Sequence, residues 1–487
     1  MLAGMDAAEF DLIVIGAGPV GENVADRAVQ GGLSAVIVES ELVGGECSYW
    51  ACMPSKTLLR PVAALRAARA VPGAAAAVSG GVDVGETLRS RDAMTHEWDD
   101  AGQVEWLDTA GITLVRGHGR IDGERTVRVT APGGAESVLR ARYAVAVCTG
   151  SDAALPDIPG LADVEPWTSR EATAVREVPA SLVIVGGGVV ACEMATAFAS
   201  FGTRVTVIAR SGLLGGMEPF AGDAVAAALR EAGAEVRLRT TPIAVRREDG
   251  DGDGDGAGAV VVTLDSGDEV RGAQILVATG RTPRTGDLGL ASVGLEPGGW
   301  IDVDDTLRVR GSEWLYAVGD VTHRALLTHQ GKYQARAAGD VIAARARGGA
   351  VDDAPWGAHV ATADHSAVPQ VVFTDPQVAA VGLTEKEAQD AGIRHRVLDV
   401  DLGAIAGAST HAERYAGTAR AIVDTDREVI VGATLVGPDI AELLQAVTIA
   451  VVGEVPLARL WHAVPAYPTI SEVWLRWLEQ YGRPEPS

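Results

Sequence analysis

Cysteine is scarce: Cys47, Cys52, Cys148 and Cys192 are the only four in 487 residues. So few cannot staple a chain of this length, which excludes a secreted disulfide framework. Basic residues are also outnumbered, 41 Lys+Arg against 65 Asp+Glu, giving a formal net charge of −24. Such a surface repels phosphate backbones and anionic lipid, and no local basic patch overrides it, so no nucleic-acid or membrane partner is expected. No run of about 18 uninterrupted apolar residues occurs, and the opening MLAGMDAAEF lacks the basic-then-apolar order of a secretory leader. The cytoplasm is the expected location. Glycine, by contrast, is abundant at 59 residues without any G-X-Y period, so these glycines are expected to meet local backbone demands. With 47% apolar and 22% charged residues the chain reads as globular, and its length suits about three domains.

Residues 11–40 run DLIVIGAGPVGENVADRAVQGGLSAVIVES: an apolar run, a glycine turn, a helix-compatible stretch and a second apolar run closed by Glu39. Residues 181–210, SLVIVGGGVVACEMATAFASFGTRVTVIAR, repeat that plan, so two doubly wound modules are expected in one chain. Between them, 61–105 has helical spacing and 111–148 reads as short strands. The acidic run 247–259 is expected to be a solvated hairpin tip. Asp249, Asp251, Asp253 and Gly254 imitate the start of a calcium loop, but position twelve is Val260 where a bidentate Glu is needed, so no metal site is expected. From about 355 the pattern changes to alternating strands followed by helical AELLQAVTIAVVG, a separate α+β domain.

The first turn is Gly16-x-Gly18-x-x-Gly21. Its first glycine makes the tight turn, the second lets backbone approach a pyrophosphate, and the third permits close helix–strand packing. Glu39 ends the return strand, where a carboxylate accepts from a ribose diol and repels a 2′-phosphate, suiting the adenosine half of FAD or NAD. The second turn, Gly186-x-Gly188-x-x-Ala191, has a return strand that ends in Arg210 instead. A guanidinium there pairs with a 2′-phosphate, favouring NADPH over NADH, unless Arg210 is only a surface residue.

Cys47 and Cys52 lie just after the first module, and Pro54 suits the first turn of a helix that runs at least to Pro61. The helix dipole and Lys56 are expected to lower the thiol pKa. No further Cys or His stand at zinc-ligand spacing, so redox exchange is the better reading. Cys148 and Cys192, at an apolar strand end and in a helix interior, are expected to pack.

GGECSYWACMPSK at 44–56 resembles the GGxCxxxxCxPSK signature of the class I pyridine nucleotide-disulfide oxidoreductases, FAD flavoproteins that include dihydrolipoamide dehydrogenase, glutathione reductase and mercuric reductase. The resemblance covers nearly the whole chain. CTGS at 148–151, ATGRTP at 278–283, YAVGDV around Asp320, LLTH at 326–329, the segment 368–388 and GATLVGPDIAELL at 432–444 are all similar to family segments. It implies an α/β fold of two Rossmann-like domains plus a C-terminal α+β dimerisation domain. The implied division is FAD-binding at 1–160 and 286–354, NAD(P)H-binding at 161–285, and dimerisation at 355–487. It also implies Cys47 as the interchange thiol, Cys52 as the thiol beside the flavin, and a Lys56–Glu193 pair near the reactive flavin edge. Gly119, Gly150, Asp320, Leu326, Leu327 and Thr328 would bind FAD, and Gly280 would lie in a cofactor-binding segment. Electrons would pass from NADPH through FAD and the Cys47–Cys52 disulfide to a small oxidant or disulfide substrate. A homodimer would complete each active site with the partner's C-terminal segment.

That segment departs from the pattern. Where disulfide-reducing members carry His-Pro-Thr followed by Glu, this chain has Tyr467-Pro-Thr-Ile-Ser-Glu472. A phenol of pKa about 10 is a poor proton shuttle at neutral pH. His462, five residues earlier, is read as packing rather than a substitute. Mercuric reductases resemble the chain at Tyr467 and in the second turn, but the closing EQYGRPEPS has no vicinal Cys pair like the one they use to deliver the metal. The expected activity is thus mercuric-reductase-like, with dihydrolipoamide dehydrogenase and a flavin-binding thiol sensor as alternatives. Trp461, Trp474 and Trp477 around Tyr467 are expected to form interface core.

Overall fold

The structure is a computed structural model that describes residues 8–248 and 258–483. The acidic residues Asp249, Asp251 and Asp253, with Gly254, lie outside the described residues, whereas Val260 opens strand Val260–Leu264, where it pairs with Arg247. The chain forms two compact units. One comprises Met1–Pro54, Asp92–Ala153 and Arg281–His365; the other comprises Ser55–Arg91, Ala154–Gly280 and Ser366–Ser487. No helix among the described residues is long and apolar enough to cross a membrane.

The first unit is built on a seven-stranded sheet. Strands Thr113–Arg116, Ala35–Glu39, Ala8–Ile15 and Glu136–Val147 run parallel in that order, and Leu315–Ala317 joins the last of them in parallel. Ala35–Glu39 is buried throughout, as expected of a parallel strand covered on both faces. Register aligns Ile15 with both Val38 and Val147, and Ala317 with Val147, so these strands finish at one edge. The residues that follow them, Gly16, Glu39, Cys148 to Gly150 and Asp320, gather there. In an open α/β sheet this edge is where ligands bind.

The second unit repeats the arrangement with Glu235–Leu238, Arg204–Ala209, Ser181–Val185 and Gln274–Val277, all parallel. It also holds a five-stranded antiparallel sheet ordered Gln370–Val372, Gln377–Gly382, Val429–Gly437, Thr418–Asp424 and His395–Asp401. Helix Leu444–Val452 packs on two of these strands.

Two local features differ from the sequence pattern. Helix Cys52–Arg69 continues past Pro61, with that proline inside it. In the first unit, His96, Glu97 and Trp98 have φ of 50°, 52° and 59°, a left-handed turn closed by Trp98 N–H to Thr95 O and Asp99 N–H to His96 O. L-residues enter this region singly rather than in runs, because it costs roughly 1–2 kcal/mol per residue.

Candidate active site

At the edge where the first unit's strands finish lies a pocket of about 450 Å³. Its walls include Gly16, Gly18, Glu39, Gly119, Gly150 and Asp320, together with Cys47 and Thr328. Gly16 has φ of 103°, and a Cβ there would stand 2.5 Å from the Cys148 carbonyl oxygen. Gly21 lies behind the pocket, where a Cβ would strike the Gly16 carbonyl. Gly16 and Gly21 therefore meet the backbone demands that the turn and the helix–strand packing make at their positions. Glu39 is buried, and its carboxylate accepts from the N–H of Ala17 at 2.6 Å and of Glu41 at 2.7 Å. Held this way, it faces the pocket in one orientation. Asp320 accepts from the Ser151 hydroxyl at 2.7 Å, and burial pushes its carboxyl up despite that bond. Thr149 also lines the pocket, and its hydroxyl oxygen is buried without a hydrogen-bond partner. A glycine cradle, an anchored carboxylate and an orphaned hydroxyl fit a dinucleotide such as FAD.

Cys47 is the third residue of the short helix Gly45–Tyr49, and Cys52 is the first of Cys52–Arg69. Both are half-buried, and Cys47 is hydrogen-bonded to the Cys52 sulfur. Cys52 Sγ is 3.3 Å from Thr328 Oγ1. Leu326 and Leu327 are half-buried just before Thr328 and, like Cys52, are not pocket walls. The expected lowering of the thiol pKa is corrected for Cys47. Its hydrogen bond to the Cys52 sulfur and its burial push the thiol up, and the Thr328 hydroxyl opposes them only in part. Cys148 is buried and strongly raised, and burial pushes Cys192 up to about 12, so both are inert packing thiols as expected.

In the second unit, Lys56 Nζ lies 2.8 Å from Glu193 Oε2, and Glu193 Oε1 accepts from the Phe373 N–H at 2.9 Å. The ammonium sits 5.0 Å from the centre of the Phe373 ring. Glu193 is 3% exposed, and both of its carboxylate oxygens are taken up in these two contacts. Gly186 has φ of 140°, and its Cβ would strike the Ala278 carbonyl; Gly188 caps helix Val189–Ser200. Gly280 has φ of 156°, and its carbonyl accepts from Ala154 N–H. Arg210 is exposed just past strand Arg204–Ala209. Tyr467 is 76% exposed, and Glu472 is buried with Oε2 unpartnered and Oε1 3.5 Å from Arg476. His462 is exposed, so it does not pack as expected. Trp477 also corrects an expectation: it is 1% exposed within its own subunit, donating to the Ala419 carbonyl, so it belongs to that subunit's core rather than an interface.

Several residues near the pocket escaped the sequence reading. Arg281 donates to the hydroxyl and carbonyl of Ser151, and Arg284 bridges Asp152 and Glu46, the neighbour of Cys47. Arg281 was visible within the ATGRTP motif. Glu22, in the first turn of Pro19–Gln30, had no sequence signal. Burial pushes its carboxyl from 4.5 up to about 7; Lys332 opposes that shift, and Glu39 adds to it. Below about pH 4.5 Glu22 is protonated whether folded or unfolded. As pH rises through 7 the folded chain must hold a buried charge, so stability falls across that window by about 3 kcal/mol at 1.36 kcal/mol per pH unit. Glu22→Gln should therefore raise resistance to urea at pH 8 and leave it unchanged near pH 4.5. Equal shifts at both pH values would contradict this.

The chain matches the family model described as pyridine nucleotide-disulphide oxidoreductase over residues 10–340, and that family's dimerisation domain over 368–477. It is 33% identical over 476 residues to a mercuric reductase of Acidithiobacillus ferrooxidans, covering 96% of this chain and 82% of that one. It is 32% identical over 488 residues to a dihydrolipoyl dehydrogenase of Haloferax volcanii, covering 97% and 96%. Among solved structures, the HOCl-induced flavoprotein disulfide reductase RclA from Escherichia coli, as its Cu(II) complex, superposes with a TM-score of 0.82 at 22% identity over 98% of this chain and all of that one. LpdA from Mycobacterium tuberculosis gives 0.80 at 23% identity over the same shares. The chain belongs to the pyridine nucleotide-disulphide oxidoreductases, enzymes that bind FAD and use a pyridine nucleotide.

Proposed function

We propose that this chain is an NADPH-dependent reductase of a soft, thiol-seeking electrophile, acting through Cys47 and Cys52. The observation that carries this reading is Cys47 in the pocket wall, paired with Cys52, in a chain whose C-terminal segment carries Tyr467 where a disulfide reductase needs an acid. When bound, FAD relays two electrons between a pyridine nucleotide and a disulfide. The Cys47–Cys52 disulfide takes two electrons and two protons to become the dithiol, and Cys47, once ionised, meets the acceptor. The Thr328 hydroxyl meets the Cys52 sulfur, and Lys56 with Glu193 supplies a fixed ion pair. A soft electrophile binds sulfur directly and needs no acid to protonate a leaving thiolate, so Tyr467 is no handicap. We read 1–160 and 286–354 as FAD-binding, 161–285 as NAD(P)H-binding and 355–487 as dimerisation, with Tyr467 to Glu472 completing the partner's site in a homodimer. We read the chain as cytoplasmic, the compartment where NADPH is kept reduced.

The preference for NADPH rests on two arginines. Register pairs Ala209 with Leu238, so Arg210 and Arg239 leave adjacent parallel strands side by side. Backbone bonds from Arg239 N–H to Ser211 O and from Thr240 N–H to Ala209 O fix them there. Arg239 is held at φ of 53°, and neither guanidinium has an ion-pair partner among the described residues, whereas nearby Arg237 and Arg271 do. Two free guanidinium groups suit a phosphomonoester on a ribose. Arg210→Ala and Arg239→Ala are each expected to raise KM for NADPH about tenfold and leave KM for NADH unchanged. Steady-state kinetics with both nucleotides checks this; equal effects on the two would contradict it.

The second reading, dihydrolipoyl dehydrogenase, is favoured by the Haloferax volcanii relative. The deciding assay supplies NADPH with thiophilic metal ions and quinones, and separately NAD+ with dihydrolipoamide. Turnover in the first arm alone supports the proposal, and turnover in the second alone replaces it. A chain that NADPH reduces but that turns over nothing in either arm is a thiol redox sensor.

A further inference from the structure

We propose that Gln334 is a positioning residue for the flavin half of the cofactor, acting by fixing the Gly319–Asp320 step at the pocket edge. The inference rests on reading this pocket as the FAD site. Along that edge Glu39, Gly16, Cys148 and Asp320 stand at the ends of four neighbouring strands, so three strand steps, about 14 Å, separate Glu39 from Asp320. A cofactor whose adenosine ribose meets Glu39 therefore lays its flavin half toward Asp320. Gly319, immediately before Asp320, has φ of 83° and ψ of −150°, a conformation essentially confined to glycine and kept only where surrounding contacts over-determine it. Two contacts do so. Its carbonyl accepts from the Thr322 hydroxyl at 2.9 Å, and its N–H donates to Gln334 Oε1 at 2.9 Å. Gln334, on helix Thr328–Ala346, is fully buried, and its Nε2 donates to Asp364 Oδ2 at 3.0 Å. Asp364, its side chain 1% exposed, also accepts from Gln330 at 2.6 Å and from Arg324 at 2.7 Å. An ionised carboxylate only accepts, so the Gln334 amide nitrogen must face Asp364 and its oxygen must face Gly319. The amide is thereby locked in one orientation. Gln334 is not a pocket wall, so it acts through Gly319, while the Ser151 hydroxyl orients the Asp320 carboxylate from the other side.

The test strips FAD from the purified full-length chain and titrates it with FAD and, separately, with ADP, which carries the adenosine and pyrophosphate but no flavin half. Gln334→Met keeps the length of the side chain and removes both of its hydrogen bonds. Its Kd for FAD should rise about tenfold, the scale of one buried hydrogen bond, while its Kd for ADP stays within about twofold of wild type. In an Asp320→Ala background no carboxylate remains to be placed, so Gln334→Met should change the Kd for FAD by less than about threefold. Gln334→Asn keeps the amide but is one methylene too short to span Gly319 and Asp364; it should shift FAD in the same direction, and it serves if Gln334→Met does not fold. Equal losses of FAD and ADP affinity, or an undiminished effect in the Asp320→Ala background, would make Gln334 a purely structural residue and overturn the inference. A wild-type chain that takes up no FAD would instead defeat the reading beneath it.

Discussion

Cys47→Ser is expected to leave reduction of bound FAD by NADPH within about twofold of wild type and to lower turnover with any acceptor by on the order of 10³-fold or more. Serine keeps the shape of the Gly45–Tyr49 helix, so the loss is chemical: the interchange sulfur that meets the substrate is gone. Cys52→Ser should lose turnover to a similar extent but differ in spectrum. If Cys52 is the sulfur beside the flavin, reduced Cys47→Ser retains a long-wavelength thiolate absorption and reduced Cys52→Ser does not. The opposite pattern would reverse the two roles. Because burial and the partner sulfur push the Cys47 thiol up, acceptor reduction should accelerate as pH rises through the alkaline range. Stopped-flow mixing of reduced enzyme with acceptor measures both effects.

Gly16→Ala should abolish retention of FAD. Two penalties act together: a φ of 103° that L-residues rarely adopt, and a methyl 2.5 Å from the Cys148 carbonyl oxygen, backbone that cannot step aside. Together they amount to about 3 kcal/mol or more, at least a hundredfold loss of affinity if the turn shifts to accommodate the methyl. Gly18 is the control, since its φ is −70° and a Cβ there meets nothing within 4 Å. Gly18→Ala should therefore fold as the wild type does and lose affinity only where the cofactor's phosphates approach the backbone. Flavin absorbance per chain after purification, with thermal unfolding as a companion, separates the cases. Equal retention of FAD in wild type and Gly16→Ala would show that the pocket does not hold the cofactor as argued.

Residues tied to a local backbone requirement were legible in the sequence. Gly16, Gly21 and Glu39 stand where a strand–turn–helix–strand unit must place them, and the strand register then gathers them at one edge. The chain's two-module α/β plan was legible from the repeat, and its α+β end from the change of period. Contacts between distant segments were not. Lys56 and Glu193 are 137 positions apart, and only the family resemblance suggested the pair, although Lys56 is one of just three lysines in the chain. Arg239 depends on strand register, and no residue type at 96–98 announces the left-handed turn there. The thiol reading failed because dipole and charge can be read from sequence, while the hydrogen bond between the two sulfurs and their burial cannot. Trp477 was assigned to an interface because tryptophans cluster around Tyr467, yet its helix, Val473–Tyr481, packs against strand His395–Asp401 of its own sheet.

The central claim is that this chain holds two two-electron acceptors, FAD and the Cys47–Cys52 disulfide. Anaerobic titration of the oxidised holoenzyme with NADPH tests it most directly. The account predicts uptake of two NADPH per FAD, with a long-wavelength thiolate absorption during the titration, and a single NADPH per FAD in the Cys47→Ser, Cys52→Ser double variant. Saturation of the wild type at one NADPH per FAD, without that absorption, would contradict it.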